Sequence, residues 1–324
     1  MLNRRAQGVT MARLRWFRDH VPAGDLFVPD DAADAEATVA AIAARGFDAL
    51  CLGGGDGTFM LAAAALIAHA PDRMPAVLPL RLGTGNAIHD VCGSSAPTPQ
   101  GLARDLARAA DPGEPPSPLR LLDVDGRPAH FAGVRLDADW AADYAWLVKR
   151  HVGAGRLLPL VRGAPGYALT ALTLTLPRLF RRPFVAIKLV ARGPAARLDG
   201  AGRPAQSFSA GETLYEGPIT MASASTVPSY SAGLPYFRHA GALEDAFELK
   251  VAYASAYGVV RHARRLLAGE PDPSRILDFA ARDIAIELPT ATRYHVGGDV
   301  LPPVLRFGVA MSRHSIPVLR SARA

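Results

Sequence analysis

One pattern, repeated in close succession, constrains this chain more than any other: a short apolar run that ends in a glycine-rich turn. Phe47–Leu52 leads into Gly53-Gly54-Gly55-Asp56-Gly57, and Ala76–Leu82 leads into Gly83-Thr84-Gly85-Asn86. The intervening Thr58–Ala70 has the composition of a helix. Strands buried on both faces read as continuous apolar runs, because neither side of the strand meets water. Strand, turn, helix, strand and turn in that order specify a parallel α/β domain. A further helix is expected over Asp34–Ala44, capped by Asp30 or Asp31 and stopped by Gly46.

Past a proline-rich linker at Pro112–Pro118 the pattern changes to β. Leu119–Val124, the Asp125-Gly126 turn and Ala129–Val134 read as a hairpin. Later strands are expected at Phe184–Val190, Leu214–Ser223, Phe247–Ala252, Asp283–Leu288, Arg293–Val296 and Val304–Val309. Helices over Asp137–Arg150, Pro165–Leu179 and Ala256–Leu267 interrupt them. The expected organisation is an α/β domain over residues 1–118 and a β-rich, sandwich-like domain over 119–303. The last segment, 304–324, is expected to return to the first domain.

The two turns also carry the chemistry. Successive glycines let backbone N–H groups approach an anion without Cβ atoms in the way. A helix beginning at such a turn adds about half a positive charge at the same point. Gly54, Gly55, Gly57 and Thr58 in the first turn, with Gly83, Thr84 and Asn86 in the second, are therefore the candidate phosphate-binding residues. Asp56 is the odd member, because a carboxylate repels phosphate unless a cation intervenes. It reads as a Mg²⁺-linked or hydroxyl-orienting group. In a parallel sheet, consecutive turns at the carboxyl ends of the strands face one crevice.

A net charge of +6 favours anionic partners, and almost all of the positive charge is arginine, with lysine only at 149, 188 and 250. Arginine clusters without interleaved aromatics argue against nucleic acid. No apolar run reaches the roughly 18 residues needed to span a bilayer, and no signal peptide is visible. The expectation is a cytoplasmic protein, at most peripheral at the inner membrane surface, with reduced Cys51 and Cys92. Arg178, Arg181 and Arg182 follow an apolar helical stretch and are placed to meet anionic headgroups. A homodimer is compatible with the sequence.

Gly54-Gly55-Asp56-Gly57-Thr58 followed by Leu82-Gly83-Thr84-Gly85-Asn86 resembles the diacylglycerol kinase catalytic domain, shared by lipid kinases of the diacylglycerol, sphingosine and ceramide type. NAD kinases share the first motif, but their second ends in glycine-phenylalanine-leucine, which is absent here. Asn3-Arg4-Arg5-Ala6-Gln7-Gly8 resembles the family's opening phosphate loop, which makes Asn3 and Gly8 further nucleotide contacts. In the family a strand precedes that loop, whereas only Met1 and Leu2 precede it here; either that strand is missing or the true start lies upstream. His295-Val296-Gly297-Gly298-Asp299 falls where the family has the carboxylate that takes the proton from the lipid hydroxyl. Its first acidic position is Gly297 here, and the second is Asp299, shorter than glutamate in reach by about 1.5 Å. Leu243-Glu244-Asp245-Ala246-Phe247 matches a turn associated with structural Mg²⁺, so Glu244 and Asp245 are the candidate metal ligands.

The resemblance implies an NAD kinase/diacylglycerol kinase-like first domain that binds ATP with Mg²⁺, and a second domain for the lipid. The implied reaction phosphorylates the hydroxyl of a diacylglycerol-like or sphingoid lipid, with Asp56 and Asp299 as catalytic residues. Two alternatives stay open: a non-catalytic lipid- or nucleotide-binding relative that has lost its base, and a soluble NAD kinase-like enzyme.

Overall fold

The computed structural model describes residues 1–151, 163–181, 184–230, 235–261 and 275–321. The chain divides into two compact units. One comprises Met1–Leu121 with Ser231–Gly233 and Arg313–Ala324, and the other Leu122–Tyr230 with Leu234–Ser312. The first division falls just past the expected linker. Residues 304–312 group with the second unit, so the segment that returns to the first begins at Arg313.

The first unit is built on a parallel sheet. Strand β1 (Ala49–Gly54) pairs in register with β2 (Ala76–Arg81), Ala49 opposite Ala76 and Gly54 opposite Arg81. On the far edge of β2, Val318 pairs with Val77, and Leu319 donates its N–H to the Val77 carbonyl. On the far edge of β1, Leu2 bridges Gly53, and the Asn3 amide donates to the Gly53 carbonyl at 2.8 Å. Met1–Asn3 thus supplies the strand position that the sequence seemed too short to fill.

Helices α1 (Met11–His20) and α5 (Pro99–Ala110) bury Leu14, Phe17 and Leu102 against Leu2, Leu80 and Leu82. Helix α2 (Ala32–Ala44) packs on α3 (Asp56–His69), which lies on β1. Asp31 caps α2 by accepting from the Asp34 amide at 2.9 Å. Gly46 follows the helix in the left-handed region at φ 71°, as a helix stop requires. Helix α4 (Ala87–Cys92) starts directly after the second glycine turn.

The second unit is antiparallel. Strands β3 (Ser117–Val124) and β4 (Arg127–Ala129) form the expected hairpin, with Asp125 and Gly126 both at positive φ. Strand β5 (Phe131–Arg135) is followed at once by α6 (Leu136–His151). A second helical passage consists of α7 (Gly163–Thr170), a π-helical stretch (Ala171–Thr175) and α8 (Leu176–Arg181). There follow β6 (Val185–Ala191), β7 (Ala195–Leu198), β8 (Pro204–Phe208), β9 (Thr213–Ile219), β10 (Met221–Ser225) and β11 (Phe247–Ala252). Then come α9 (Ala256–Arg261), β12 (Ile276–Ala281), β13 (Asp283–Val296) and β14 (Asp299–Val318). The remainder of the helix expected to Leu267, and Arg182, lie outside the described residues.

The long strand β13 joins two limbs of sheet. Its first half pairs with β6, and its last residues pair with β5. The register against β14 shifts between Glu287 and Thr292, so the segments expected as separate strands at Asp283–Leu288 and Arg293–Val296 are one bent strand. The expected Leu214–Ser223 strand is instead two, divided at Thr220. One core cluster draws Leu122, Val134, Ile187, Leu189, Leu249 and Phe307 from both limbs.

Candidate active site

Three loops of the first unit meet at the start of α3. The Asn3 side-chain N–H donates to Thr58 Oγ1 at 2.9 Å, tying the opening loop to the first glycine turn. The Gly8 amide donates to the Leu82 carbonyl at 2.8 Å, and Thr84 Oγ1 donates to Gln7 Oε1 at 3.3 Å, tying the opening loop to the second turn. The turns are joined to each other by Leu82 N–H to Gly54 O at 3.1 Å and Asp56 N–H to Gly85 O at 3.0 Å.

These contacts change the account of the glycines. A Cβ on Gly83 would sit 2.1 Å from Gly55 Cα, and one on Gly8 would sit 2.6 Å from the Leu82 carbonyl oxygen. Both glycines are there because backbone packs directly on backbone. Gly57 differs: nothing lies within 4 Å of its Cβ position. It opens onto a crevice of about 130 Å³ lined in part by Asn3, Arg5, Asp30, Gly57 and Thr58. Asp30 is bridged by the Arg4 guanidinium at 3.1 Å, which offsets its charge there.

Asp56 fastens the turns together. Its Oδ2 accepts from the Ala87 amide and its Oδ1 from the Ile88 amide, both at 3.0 Å, so its carboxylate caps α4. His89 contacts the Leu80 carbonyl through Nε2 at 3.1 Å and places Nδ1 3.6 Å from Asp56 Oδ1. His89 is buried behind the aspartate. Asn86 donates from Nδ2 to the Gly83 carbonyl, while its buried Oδ1 has no hydrogen-bond partner among the described residues. A buried unpartnered acceptor is unfavourable unless a ligand supplies a donor or a cation. Asp56 is 13% exposed, and its carboxylate and the Asn86 amide oxygen are the oxygen ligands that a hard cation takes.

The second unit carries a different polar centre. Asp299 is exposed and closes a two-residue turn opposite Val296, with Gly297 and Gly298 at φ 61° and 95°. Beneath it lies a cluster that sequence reasoning missed. Asp137 is buried and accepts from Ser223 Oγ at 2.5 Å and from the Tyr230 hydroxyl, with the buried His295 Nε2 2.8 Å from its Oδ2. The Gly298 amide donates to His295 Nδ1 at 3.4 Å, which ties the network to the turn. Gly133 makes the space, since a Cβ there would meet Asp137 Oδ2 at 2.1 Å. Nearby, burial first, then the Asp278, Asp137 and Glu248 carboxylates, hold the Tyr236 phenol well above its ordinary pKa.

The expected metal ligands are less well placed. Glu244 and Asp245 are exposed, and Asp245 lies 3.6 Å from the Arg282 guanidinium. Among the described residues, the acidic and histidine ligand atoms that converge belong to His239, Glu248 and Asp278. There the buried Lys250 ammonium already lies 2.9 Å from Glu248 and 2.6 Å from Asp278.

Residues 13–112, which contain both glycine turns, match the family model of the diacylglycerol kinase catalytic domain. Three solved structures from Bacillus anthracis strain Sterne, among them the crystal structure of a diacylglycerol kinase, share the fold. Their TM-scores are 0.63, 0.62 and 0.61 at 14%, 13% and 15% identity, covering 99% of this chain and 95–96% of theirs. No curated protein sequence matches the chain. Two of the three loops therefore lie within the matched stretch, and the β-rich second unit completes the fold shared with these structures.

Proposed function

We propose that the chain transfers the terminal phosphate of ATP to the hydroxyl of a diacylglycerol-like or sphingoid lipid. The observation that carries this reading is the meeting of Asn3–Gly8, Gly54–Thr58 and Gly83–Asn86 around the N-terminus of α3. In the proposal, the α3 amides and Arg5 face the phosphates across the open position at Gly57, where the helix dipole favours negative charge. Asp56 and Asn86 would hold the Mg²⁺ that neutralises the triphosphate when bound. Asp56 thereby has a second task, since its carboxylate also keeps the two turns in register. Asp299 is assigned as the base that accepts the hydroxyl proton, with the Asp137–His295 pair holding its turn. A structural cation at Glu244 and Asp245 would have to displace the Arg282 guanidinium, and the proposal uses none. ATP and a lipid hydroxyl together place the reaction in the cytoplasm, at a transient contact with the inner membrane surface.

A second reading, a lipid- or nucleotide-binding relative without transfer activity, is favoured by one observation: Gly297 stands where the family has an acid. Its φ of 61° is one that aspartate tolerates, so Gly297→Asp can restore the acid without rebuilding the turn. Radiolabelled ATP with a mixed lipid panel separates the readings. The kinase reading predicts a labelled lipid, loss of label in Asp299→Ala, and increased label in Gly297→Asp. Transfer by neither the wild type nor Gly297→Asp, with ATP binding intact, would leave the binding reading in its place.

A further inference from the structure

The helical passage from Gly163 to Arg181 has its polarity reversed. The face packed on the protein carries Gly163, Gly166, Thr170, Thr175 and Leu179, all buried. Its hydroxyls are satisfied internally: Thr170 Oγ1 donates to the Gly166 carbonyl at 2.7 Å, and Thr175 Oγ1 to Asp143 Oδ2 at 3.0 Å. Tyr167 fixes the passage to α6 by stacking on Tyr144 at 3.8 Å and accepting at its carbonyl from Trp140 Nε1. The outward face carries Leu169, Leu172 and Phe180 at the spacing of one helical stripe, with Leu172 67% and Phe180 57% exposed. An ordinary surface helix turns such residues inward.

Neighbouring elements extend the patch. Trp146 of α6 is 51% exposed, and Phe184 and Tyr257 are exposed beside the end of the passage and on α9, which packs on α8. Six of the eight large hydrophobic side chains exposed in the described residues therefore fall in this one region. A soluble monomer seldom shows apolar side chains gathered in this way.

The charge pattern identifies what covers it. From Tyr144 to Leu198 the sequence contains no aspartate or glutamate and ten lysine or arginine residues, although the whole chain has 30 acidic residues. Lys149, Arg150 and Arg181 are exposed, and the Arg150 guanidinium lies over the Trp146 ring at 5.4 Å. Asp143, the acid nearest this run, is buried and paired with Arg178 at 2.9 Å. A second copy would bring like charge against like charge. Nucleic acid would have no use for the leucines and phenylalanines.

We infer that the apolar stripe of Leu169, Leu172 and Phe180, with Trp146 and its basic rim, is a docking face for an anionic lipid bilayer. The apolar residues enter the acyl boundary while Lys149, Arg150 and Arg181 meet the headgroups. The inference stands on this surface alone and does not need the kinase reading. Co-sedimentation of the full chain with vesicles, without ATP, tests it apart from catalysis. The full chain is expected to bind phosphatidylcholine vesicles containing phosphatidylglycerol, and to bind pure phosphatidylcholine and high-salt samples more weakly. Leu172→Glu with Phe180→Glu should lower vesicle affinity by at least about tenfold, with an unchanged thermal melt, because both side chains are exposed in the free protein. Arg150→Glu with Arg181→Glu should remove the preference for the anionic lipid. Vesicle binding that survives both pairs of changes would overturn the inference. So would the absence of vesicle binding, a dimer dissolved by the Leu172 and Phe180 changes, or preferential capture of RNA.

Discussion

Each unit of the chain builds a polar centre around one aspartate, and the two centres are made differently. Asp56 accepts from backbone amides a short way along the chain, Ala87 and Ile88, and its surroundings are loops packed backbone on backbone. Asp137 accepts from the side chains of Ser223 and Tyr230 and lies beside His295, groups brought from stretches of the second unit about 90 and 160 residues further along the chain. A centre made of backbone demands particular small residues at particular places and so writes itself into a local motif. A centre made of side chains demands only that strands be neighbours, and it leaves little local trace.

The glycines give the largest expected contrast. Gly83→Ala puts a methyl 2.1 Å from Gly55 Cα with no side chain to yield, and should destabilise the first unit by more than about 4 kcal/mol. Gly298→Ala meets only Phe131 Cζ, at an ordinary contact of 3.9 Å, and has a φ of 95° to tolerate, so it should cost about 1–2 kcal/mol. Chemical denaturation of both variants measures the difference, and equal losses would erase the distinction between packing glycines and turn glycines.

The aspartates come next. Asp137→Ala strands the buried Ser223 and Tyr230 hydroxyls, leaves the His295 ring without its carboxylate neighbour, and should cost about 3–5 kcal/mol. Asp56→Ala leaves the part-buried Ala87 and Ile88 amides without their acceptor and should cost about 1–3 kcal/mol, with a disproportionate loss of nucleotide affinity. A larger stability loss at Asp56 than at Asp137 would show that the half-open centre holds the fold more strongly than the buried one.

The smallest effect expected is at the thiols of the first unit. Burial pushes Cys51 up to about 11, with the Asp105 carboxylate adding to it, and Cys92 up to about 12. Both should resist iodoacetamide at pH 8 in the native protein and react once it is unfolded. Because the folded values lie above the unfolded ones, the stability these thiols contribute is intact below about pH 8.5 and falls as pH rises towards 11. Rapid native labelling would mean that this core opens locally.

The same contrast explains what was legible. The β1 and β2 runs, both glycine turns, α2 with its Asp31 cap and α3 could be read because each rests on local chemistry. Helix α1 was missed because only Leu14 and Phe17 of its ten residues are buried, among three arginines and other residues that keep contact with water. Helix α5 was missed although Thr98 caps it and Pro99 opens it, a signal that was present. The bent strand β13 looked like two because Pro289 and the polar residues after it mimic a break, where the structure has a register shift. The Asp137 centre depends on β13 lying beside β5 and β5 beside β10, pairings with no local signature. Gly133, an isolated glycine within a strand, was its one local trace.

Calorimetric titration of the full chain with ATP and Mg²⁺, for the wild type and for Gly57→Val, tests the central claim most directly. A Cβ at that exposed position has nothing within 4 Å, and the valine branches add bulk to the crevice lined by Asn3, Arg5 and Thr58. Wild-type binding that falls at least about tenfold in the variant, with the melting temperature unchanged, is the predicted result. Absence of binding in the wild type, or equal binding by both, would contradict a triphosphate site at the head of α3.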